Sequence, residues 1–380
     1  MSCPVVNLGD VVSFIGGSQP PKSTFMYEPQ QGYVRLLQIR DYKSDKNLTF
    51  IPEDSTKKFC NKDDVMIGRY GPPVFQILKG LEGAYNVALM KAKPSVKVDP
   101  DYLYYFLKQD KLFRLIDGLS QRTAGQSGID MDALKGYPML LPPLEEQKRI
   151  AAILDKAEAI RRKRQQAIQL ADDFLRSVFL DMFGDPVTNP KGWEVKKFEE
   201  VGKWASGGTP SRTSPQFFEG SINWFSAREL NHRYLSGSIE KITDDALNNS
   251  AAKIYPKGSM LVGMYDTAAF KISILEEESA SNQACANLIP NELIDIEWFF
   301  SYIEYSKEIY LRQRRGVRQK NLNLGMIKEF ELPLPPKSEQ DKFVNLVKTV
   351  MALKNKNYNA LNFSNDSFSS FSQKAFAGQL

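Results

Sequence analysis

The chain has 380 residues, 42% hydrophobic and 25% charged, with 24 glycines and 21 prolines. That balance belongs to ordinary folded domains, two or three at this length, and excludes collagen-like, low-complexity and disordered classes. Lysine and arginine number 50 against 45 acidic residues, a net charge of +5 with a pI near 8.8. Any positive face for nucleic acid must therefore be local rather than global.

In chain order, residues 1–142 mix short alternating apolar runs with Gly, Pro and Asn breaks. This pattern predicts short strands and loops, for instance a strand at 33–39, with a helix around 101–111. After Pro142-Pro143 no Gly or Pro occurs until Gly184. Pro143 suits a first helical position, and Glu145 and Glu146 suit the positive end of a helix dipole. Gly184 and Pro186 then stop the helix, so 143–184 reads as one long helix. Within it Ile150, Leu154, Ala157, Ile168, Ala171, Leu175, Val178 and Met182 fall on 4-3 spacing, with Arg161 and Arg164 at the two middle positions of the stripe. Ile153, Ile160, Ala167 and Phe174 form a second seam beside it. Such a pattern predicts a long helix packed on another long helix, about 60 Å in length at 1.5 Å per residue. The run Arg161-Arg162-Lys163-Arg164 points all the way round a helix and reads first as solvated faces.

Residues 185–336 return to the first kind of pattern, with a strand at 271–275 and a helix at 297–312. Pro335-Pro336 then opens the segment 337–380. Its apolar positions are Phe343, Leu346, Val347, Val350 and Leu353, then Leu361, Phe368, Phe371 and Phe376. Its middle, 355–372, is rich in Asn and Ser, which are poor helix formers. Packing against the first long helix is expected to hold it in helical form.

The chain is written twice. Val5 aligns with Val195 (190 positions on), Val34 with Ile222 (188), Val65 with Met260 (195) and Pro142 with Pro335 (193). Offsets this steady identify a tandem duplication of about 190 residues. Two globular modules with a rod between them suit the reading of two marks on duplex DNA, where 60 Å is under two turns of about 34–36 Å. A scaffold that pairs proteins through the rod, without DNA, is the alternative.

The run Leu141-Pro142-Pro143-Leu144-Glu145-Glu146-Gln147-Lys148-Arg149-Ile150-Ala151-Ala152-Ile153-Leu154-Asp155 resembles the start of the helix in specificity subunits of type I restriction-modification enzymes. Phe179-Leu180-Asp181-Met182-Phe183-Gly184-Asp185-Pro186 with Trp193, Ser206-Gly207-Gly208-Thr209-Pro210 and Gly258-Ser259-Met260-Leu261-Val262 also look like that family. The resemblance implies an α+β chain with two mixed α/β target-recognition domains, 1–142 and 185–336. The helices 143–184 and 337–380 would form an antiparallel coiled coil. It further implies a bipartite, asymmetric DNA target and docking to two modification (methyltransferase) subunits and two restriction (translocase and nuclease) subunits. By the same implication no cofactor is bound by this chain. S-adenosylmethionine for adenine-N6 methylation, and ATP and Mg, are expected on the partners.

The residues agree with a non-catalytic role. No Asn/Asp-Pro-Pro-Tyr/Phe methylase motif, phosphate-cradling Gly-x-x-x-x-Gly-Lys-Ser/Thr loop or dinucleotide fingerprint is present. His232, the single histidine, lies in polar surroundings and is expected at the surface. Cys3, Cys60 and Cys285 are odd in number and far apart, which fits a reducing cytosol and no disulfide framework. No metal site is expected. No apolar run approaches the roughly 20 residues of a membrane span, and the opening residues lack a secretory pattern.

Candidate DNA contacts follow from residue type and repeat position. Arg40 and Arg228 occupy one repeat position, where arginine can pair with guanine or clamp a phosphate; ion pairing to Asp41 or Glu229 is the competing role. Ser18, Gln19 and Lys22 lie opposite Thr209, Ser211 and Arg212 on Gly-Pro loops. Arg69-Tyr70 lies opposite Met264-Tyr265; for the tyrosines, core and contact stand as equal readings. Arg312, Arg314, Arg315, Arg318 and Lys320 crowd nine residues, whereas the first repeat offers only Arg122, with Gln126 nearby. Tyr102, Tyr104, Phe106, Trp298, Phe299 and Phe300 read as core.

Overall fold

The structure is a computed structural model that describes residues 3–71, 73–120, 128–312 and 321–379, with Asp266 described by its backbone alone. Contacts divide the chain into two units, Met1–Gln165 with Asn359–Leu380, and Gln166–Tyr358.

In the first unit the alternating runs become two four-stranded sheets. One has the order Val12–Gly16, Leu89–Pro94, Val65–Gly68, Gln76–Leu78, with all neighbours antiparallel. The other runs Phe50–Pro52, Tyr33–Leu37, Gly83–Tyr85, Phe59–Cys60, and its two middle strands are parallel. Val65–Gly68 is buried at every residue, as its unbroken apolar run requires. Val5–Asn7 pairs separately with Pro138–Leu140. The predicted helix at 101–111 is in fact two, Pro100–Leu107 and Asp110–Ser120. The first tightens and ends where the Lys108 amide is shared between the Tyr104 and Tyr105 carbonyls.

The second unit rebuilds this plan with the strands divided five and three instead of four and four. Glu194–Lys197 pairs with Glu331–Leu334. Gly202–Ser206, Cys285–Pro290, Met260–Gly263, Ile272–Leu275 and Tyr234–Leu235 form one sheet. Glu240–Ile242, Ile222–Phe225 and Ala280–Ser281 form the other, again with one parallel pair. Helix Ile296–Leu311 takes the place of Pro100–Leu107. Asp99 and Asp295 cap these two helices through their side chains. The aromatic residues read as core are so: Tyr102, Phe106, Trp298, Phe299 and Phe300 are buried, while Tyr104 is half-buried.

Two forty-residue helices, Leu144–Phe183 and Lys337–Phe376, follow the two Pro-Pro pairs. Each is seated by one glutamine with no exposed surface, Gln147 or Gln340. Gln147 Oε1 accepts from the Asp99 amide (2.8 Å), and Nε2 donates to the carbonyls of Lys97 (3.0 Å) and Pro142 (2.8 Å). Gln340 repeats the pattern with the Asp295 amide (2.8 Å) and the carbonyls of Leu293 (3.0 Å) and Pro335 (2.9 Å). Both units thus hold the same clamp, which joins the first turn of a long helix to the cap of a globular helix. The first long helix ends where Gly184 turns left-handed (φ 80°) and its amide returns to the Leu180 carbonyl.

Within the first unit, Ile150 and Leu154 share a core with Ala375. Phe376 packs on Tyr102 and Phe106, with ring centres 5.2 and 5.5 Å apart. Arg161 donates to Asn365 Oδ1 (2.7 Å) and lies 4.8 Å over the Phe368 ring. Arg164 donates to the Ala360 carbonyl and to Ser364 Oγ. These two arginines are therefore turned to the other long helix rather than to solvent, whereas Arg162 and Lys163 are exposed. Within the Asn- and Ser-rich stretch, which is helical throughout, Asn365 and Ser364 accept from those guanidinium groups. Within the second unit, Phe179 and Phe183 pack on Phe343 at 5.4 and 5.5 Å, and Lys354 pairs with Asp172 at 2.6 Å.

Ile150, Leu154, Leu175, Phe343 and Val350 are buried, and Ala157, Ile168, Ala171, Val178 and Leu346 are partly buried. The second seam fails at Ile160 and Phe174, which are exposed, as are Leu353 and Phe371. Phe179 and Phe183, which continue beyond that seam, are buried instead.

Replacing Gln147 or Gln340 by Ala strands one buried amide and two carbonyls. A loss of about 2–4 kcal/mol is expected for each, read as a lowered urea midpoint. Gln147→Glu should be harmed most at neutral pH, because a carboxylate would face two carbonyls. Burial would raise its folded pKa, so the variant should regain stability as pH falls towards and below the unfolded value of about 4.3.

Candidate nucleic-acid interface

The loops after the first strand of each main sheet begin at a glycine pressed on main chain. A Cβ at Gly17 would sit 2.0 Å from the Asn86 carbonyl oxygen, and one at Gly207 would sit 2.2 Å from that of Asn282. Only glycine allows this approach. In the first unit Ser18 shares a hydrogen bond with Thr56 (2.5 Å), and Gln19 and Lys22 are exposed. In the second, Thr209 bonds to Gln283, and Ser211 to Thr213 (2.7 Å).

Arg212 is held from three sides. It makes a two-pronged pair with Glu240, one arm at 2.8 Å, and lies 4.2 Å over the Phe218 ring and 5.2 Å over Trp224. Arg212 keeps the Glu240 carboxyl below its usual range. Arg40 is tethered as well, 3.8 Å from Asp41 and bonded to the Asn47 carbonyl (3.2 Å) and Thr49 (3.4 Å). Arg228, at the same repeat position, has no acidic partner among the described residues. Its neighbour Glu229 instead accepts from the Ser226 amide (2.8 Å), the Ser226 hydroxyl (2.7 Å) and the Ile239 amide (2.8 Å).

Tyr70 and Tyr265 are both 40% exposed, which corrects the core reading. Each follows a central strand, on the loops 69–75 and 264–270. Both loops close on a buried phenylalanine in the left-handed region, Phe75 at φ 65° and Phe270 at φ 55°. The amides of these two residues return to the Gly68 (3.0 Å) and Gly263 (2.9 Å) carbonyls. A bulky residue there is a backbone outlier costing about 1–3 kcal/mol. The same outlier recurs at the equivalent position of both repeats. The signal was present in the sequence, since Phe75 and Phe270 share the 195-residue offset of their strands, but an aromatic residue there reads as ordinary core.

In the second unit these parts border a cleft of about 760 Å³, lined by Arg228, Tyr265, Thr267, Asn282 and Asn321 together with the Arg212–Glu240 pair. Thr267, Asn282 and Asn321 carried no motif and were missed. Arg312 is exposed at the end of its helix. Arg122, Gln126, Arg314, Arg315, Arg318 and Lys320 lie outside the described residues. His232 is exposed. Burial raises the Cys60 thiol to about 11 and the Cys285 thiol to about 12, so both stay protonated at neutral pH. No helix among the described residues is long and apolar enough to cross a membrane.

A family model described as the type I restriction modification DNA specificity domain matches twice, over residues 3–170 and 190–362. The chain belongs to that family. The MjaVIII specificity subunit of Methanocaldococcus jannaschii is 22% identical over 371 residues, covering 91% of this chain and 85% of its own. The EcoR124I/EcoR124II specificity subunit of Escherichia coli is 26% identical over 259 residues (65% and 62%), and the MjaIX specificity subunit of M. jannaschii 28% over 167 residues (42% and 38%). The last two are thus matched over less than two thirds of their length. A type I restriction-modification S subunit from M. genitalium shares the fold at a TM-score of 0.64 with 13% identity, covering 99% of this chain and 96% of its own.

Two ion pairs of the second unit should differ in weight. Arg233 and Glu297 pair at 2.6 Å with side chains only 12% and 14% exposed, so Glu297→Ala should cost about 3–5 kcal/mol by leaving a buried cation. Glu240→Ala removes a pair more than a third exposed on both sides and should cost about 1 kcal/mol or less. Since the Glu240 pKa is lowered, that contribution exists above its unfolded pKa and fades as pH falls through the folded one; urea melts at several pH values read both. Under iodoacetamide at pH 8, Cys3 should be alkylated while Cys60 and Cys285 stay unmodified until the chain is unfolded, as mass spectrometry would record.

Proposed function

We propose that this chain is the non-catalytic, sequence-reading subunit of a type I restriction-modification assembly. Each globular part reads one half of a split, asymmetric duplex target. The long helices pair as an antiparallel coiled coil that sets the spacing and docks the partners. Two modification subunits, carrying S-adenosylmethionine, methylate adenine N6. Two restriction subunits, with ATP and Mg, translocate and cleave.

The observation that carries this reading is the family match in each half of a duplicated chain. Supporting it, ascending positions on one long helix meet descending positions on the other: Arg161 with Asn365 and Arg164 with Ala360 in the first unit, Asp172 with Lys354 and Phe179 with Phe343 in the second. The seam arginines against Asn and Ser form a polar layer of the kind that fixes register in coiled coils. Of the eighteen interface candidates, eleven are Arg or Lys and seven are neutral hydrogen-bonding residues. That combination suits phosphate contacts beside groove reading.

The test is to co-express the chain with its modification subunit and map methylated adenines across the host genome. A two-part motif is expected. Exchanging residues 1–142 for those of a relative should change one half-site only, and lengthening both long helices should change the spacer alone. If the first exchange altered both half-sites, the modular reading would be wrong. Duplex binding should weaken steeply with salt.

A further inference from the structure

We infer that Arg69 and Arg228 are guanine-reading residues, one in each half of the target; this rests on the function proposed above. The argument comes from what each arginine already holds. Among the described residues of the globular parts, Arg35, Arg114, Arg212 and Arg233 each have a carboxylate oxygen at 2.5–2.7 Å. Arg40 is tied to Asp41, Asn47 and Thr49. Arg312, the C-cap residue of helix Ile296–Leu311, also lacks a carboxylate partner among the described residues, but it does not line the cleft. Arg69 and Arg228 remain, and neither has a carboxylate partner among the described residues.

Both stand beside an equivalent feature. Arg69 precedes Tyr70 and lies 5.3 Å over its ring. Arg228 and Tyr265 line one cleft. Each tyrosine is carried on a loop closed by a buried left-handed phenylalanine. Yet the two arginines occupy different repeat positions. Where the first unit has Arg69, the second has buried Met264; where the second has free Arg228, the first has tethered Arg40. Each unit therefore keeps one guanidinium available next to its tyrosine, delivered from a different strand end. A planar fork with five donors and no bound acid matches the O6 and N7 acceptors of guanine in the major groove. In the cleft the neighbours Asn282, Thr267 and Asn321 are neutral, and the Glu240 charge is cancelled by Arg212, so Arg228 is not drawn away. The different approach directions give the two half-sites different base patterns, as an asymmetric target requires.

The test uses the chain co-expressed with its modification subunit, with methylated adenines mapped for wild type and for Arg69→Ala, Arg228→Ala, Arg69→Lys, Arg228→Lys and Arg40→Ala. Arg69→Ala and Arg228→Ala should each relax one G·C position, in opposite half-sites, with selectivity there falling about ten- to a hundredfold. The lysine variants should relax the same positions, because lysine lacks the two-pronged geometry. Arg40→Ala should leave the motif unchanged. The inference is overturned if the motif survives intact in both alanine variants, or if methylation falls equally at all sites and lysine restores it, the pattern of a phosphate clamp. A wild-type motif in one block would instead overturn the function proposed above, and this assignment with it.

Discussion

The arrangement depends on one amide side chain used twice. A forty-residue helix has no intrinsic reason to begin against a particular loop. Gln147 and Gln340 supply that reason by filling an acceptor and two donor valences with main-chain groups of the globular part. Burial makes the requirement strict, because an unmet amide or carbonyl there costs far more than a met one contributes. The same bond ties in the capped start of the neighbouring helix, since the bonded amides belong to the capping residues Asp99 and Asp295. Where each long helix starts, and hence which of its residues meet which partners, follows from this clamp. Because it contacts only main chain, the side chains of the globular parts are free to vary without unseating the helix.

The two units share a backbone plan and differ in what their side chains are bound to. Arg40 and Arg228 end equivalent strands, but one is tethered and the other has no acidic partner among the described residues. Met264 is buried where Arg69 stands over a tyrosine ring. Between the two units the clamps and strained loops recur, while charge moves between a few loop positions. Arg212 is stacked on two rings and paired with Glu240, so its guanidinium is already held within the unit.

Much of the fold was legible because it is periodic. The long helix expected over 143–184 spans Leu144–Phe183, since proline and glycine mark its ends and a 4-3 stripe runs between them. The duplication was legible as repeated text, and so was the Gln147 motif, although the three main-chain groups that explain it lie up to 50 residues away. What stayed hidden depended on distant partners. The single helix read at 101–111 is broken because an amide is shared between two carbonyls, which leaves no mark in composition. Glu229 looked like the natural partner of Arg228 but is consumed by amides and a hydroxyl. Glu240, 28 residues from Arg212, was invisible as its partner. The second seam of the long helix is only half covered: Ile153 and Ala167 are partly buried, whereas Ile160 and Phe174 are exposed among the described residues.

The left-handed phenylalanines set opposing demands on two positions. Glycine would relieve the backbone at 75 or 270 but leave a ring-sized void beneath the sheet, and any other large side chain would keep the strain and lose the fit. Neither change is neutral: the identity of each residue is held by two penalties of opposite origin, one in the backbone and one in the packing.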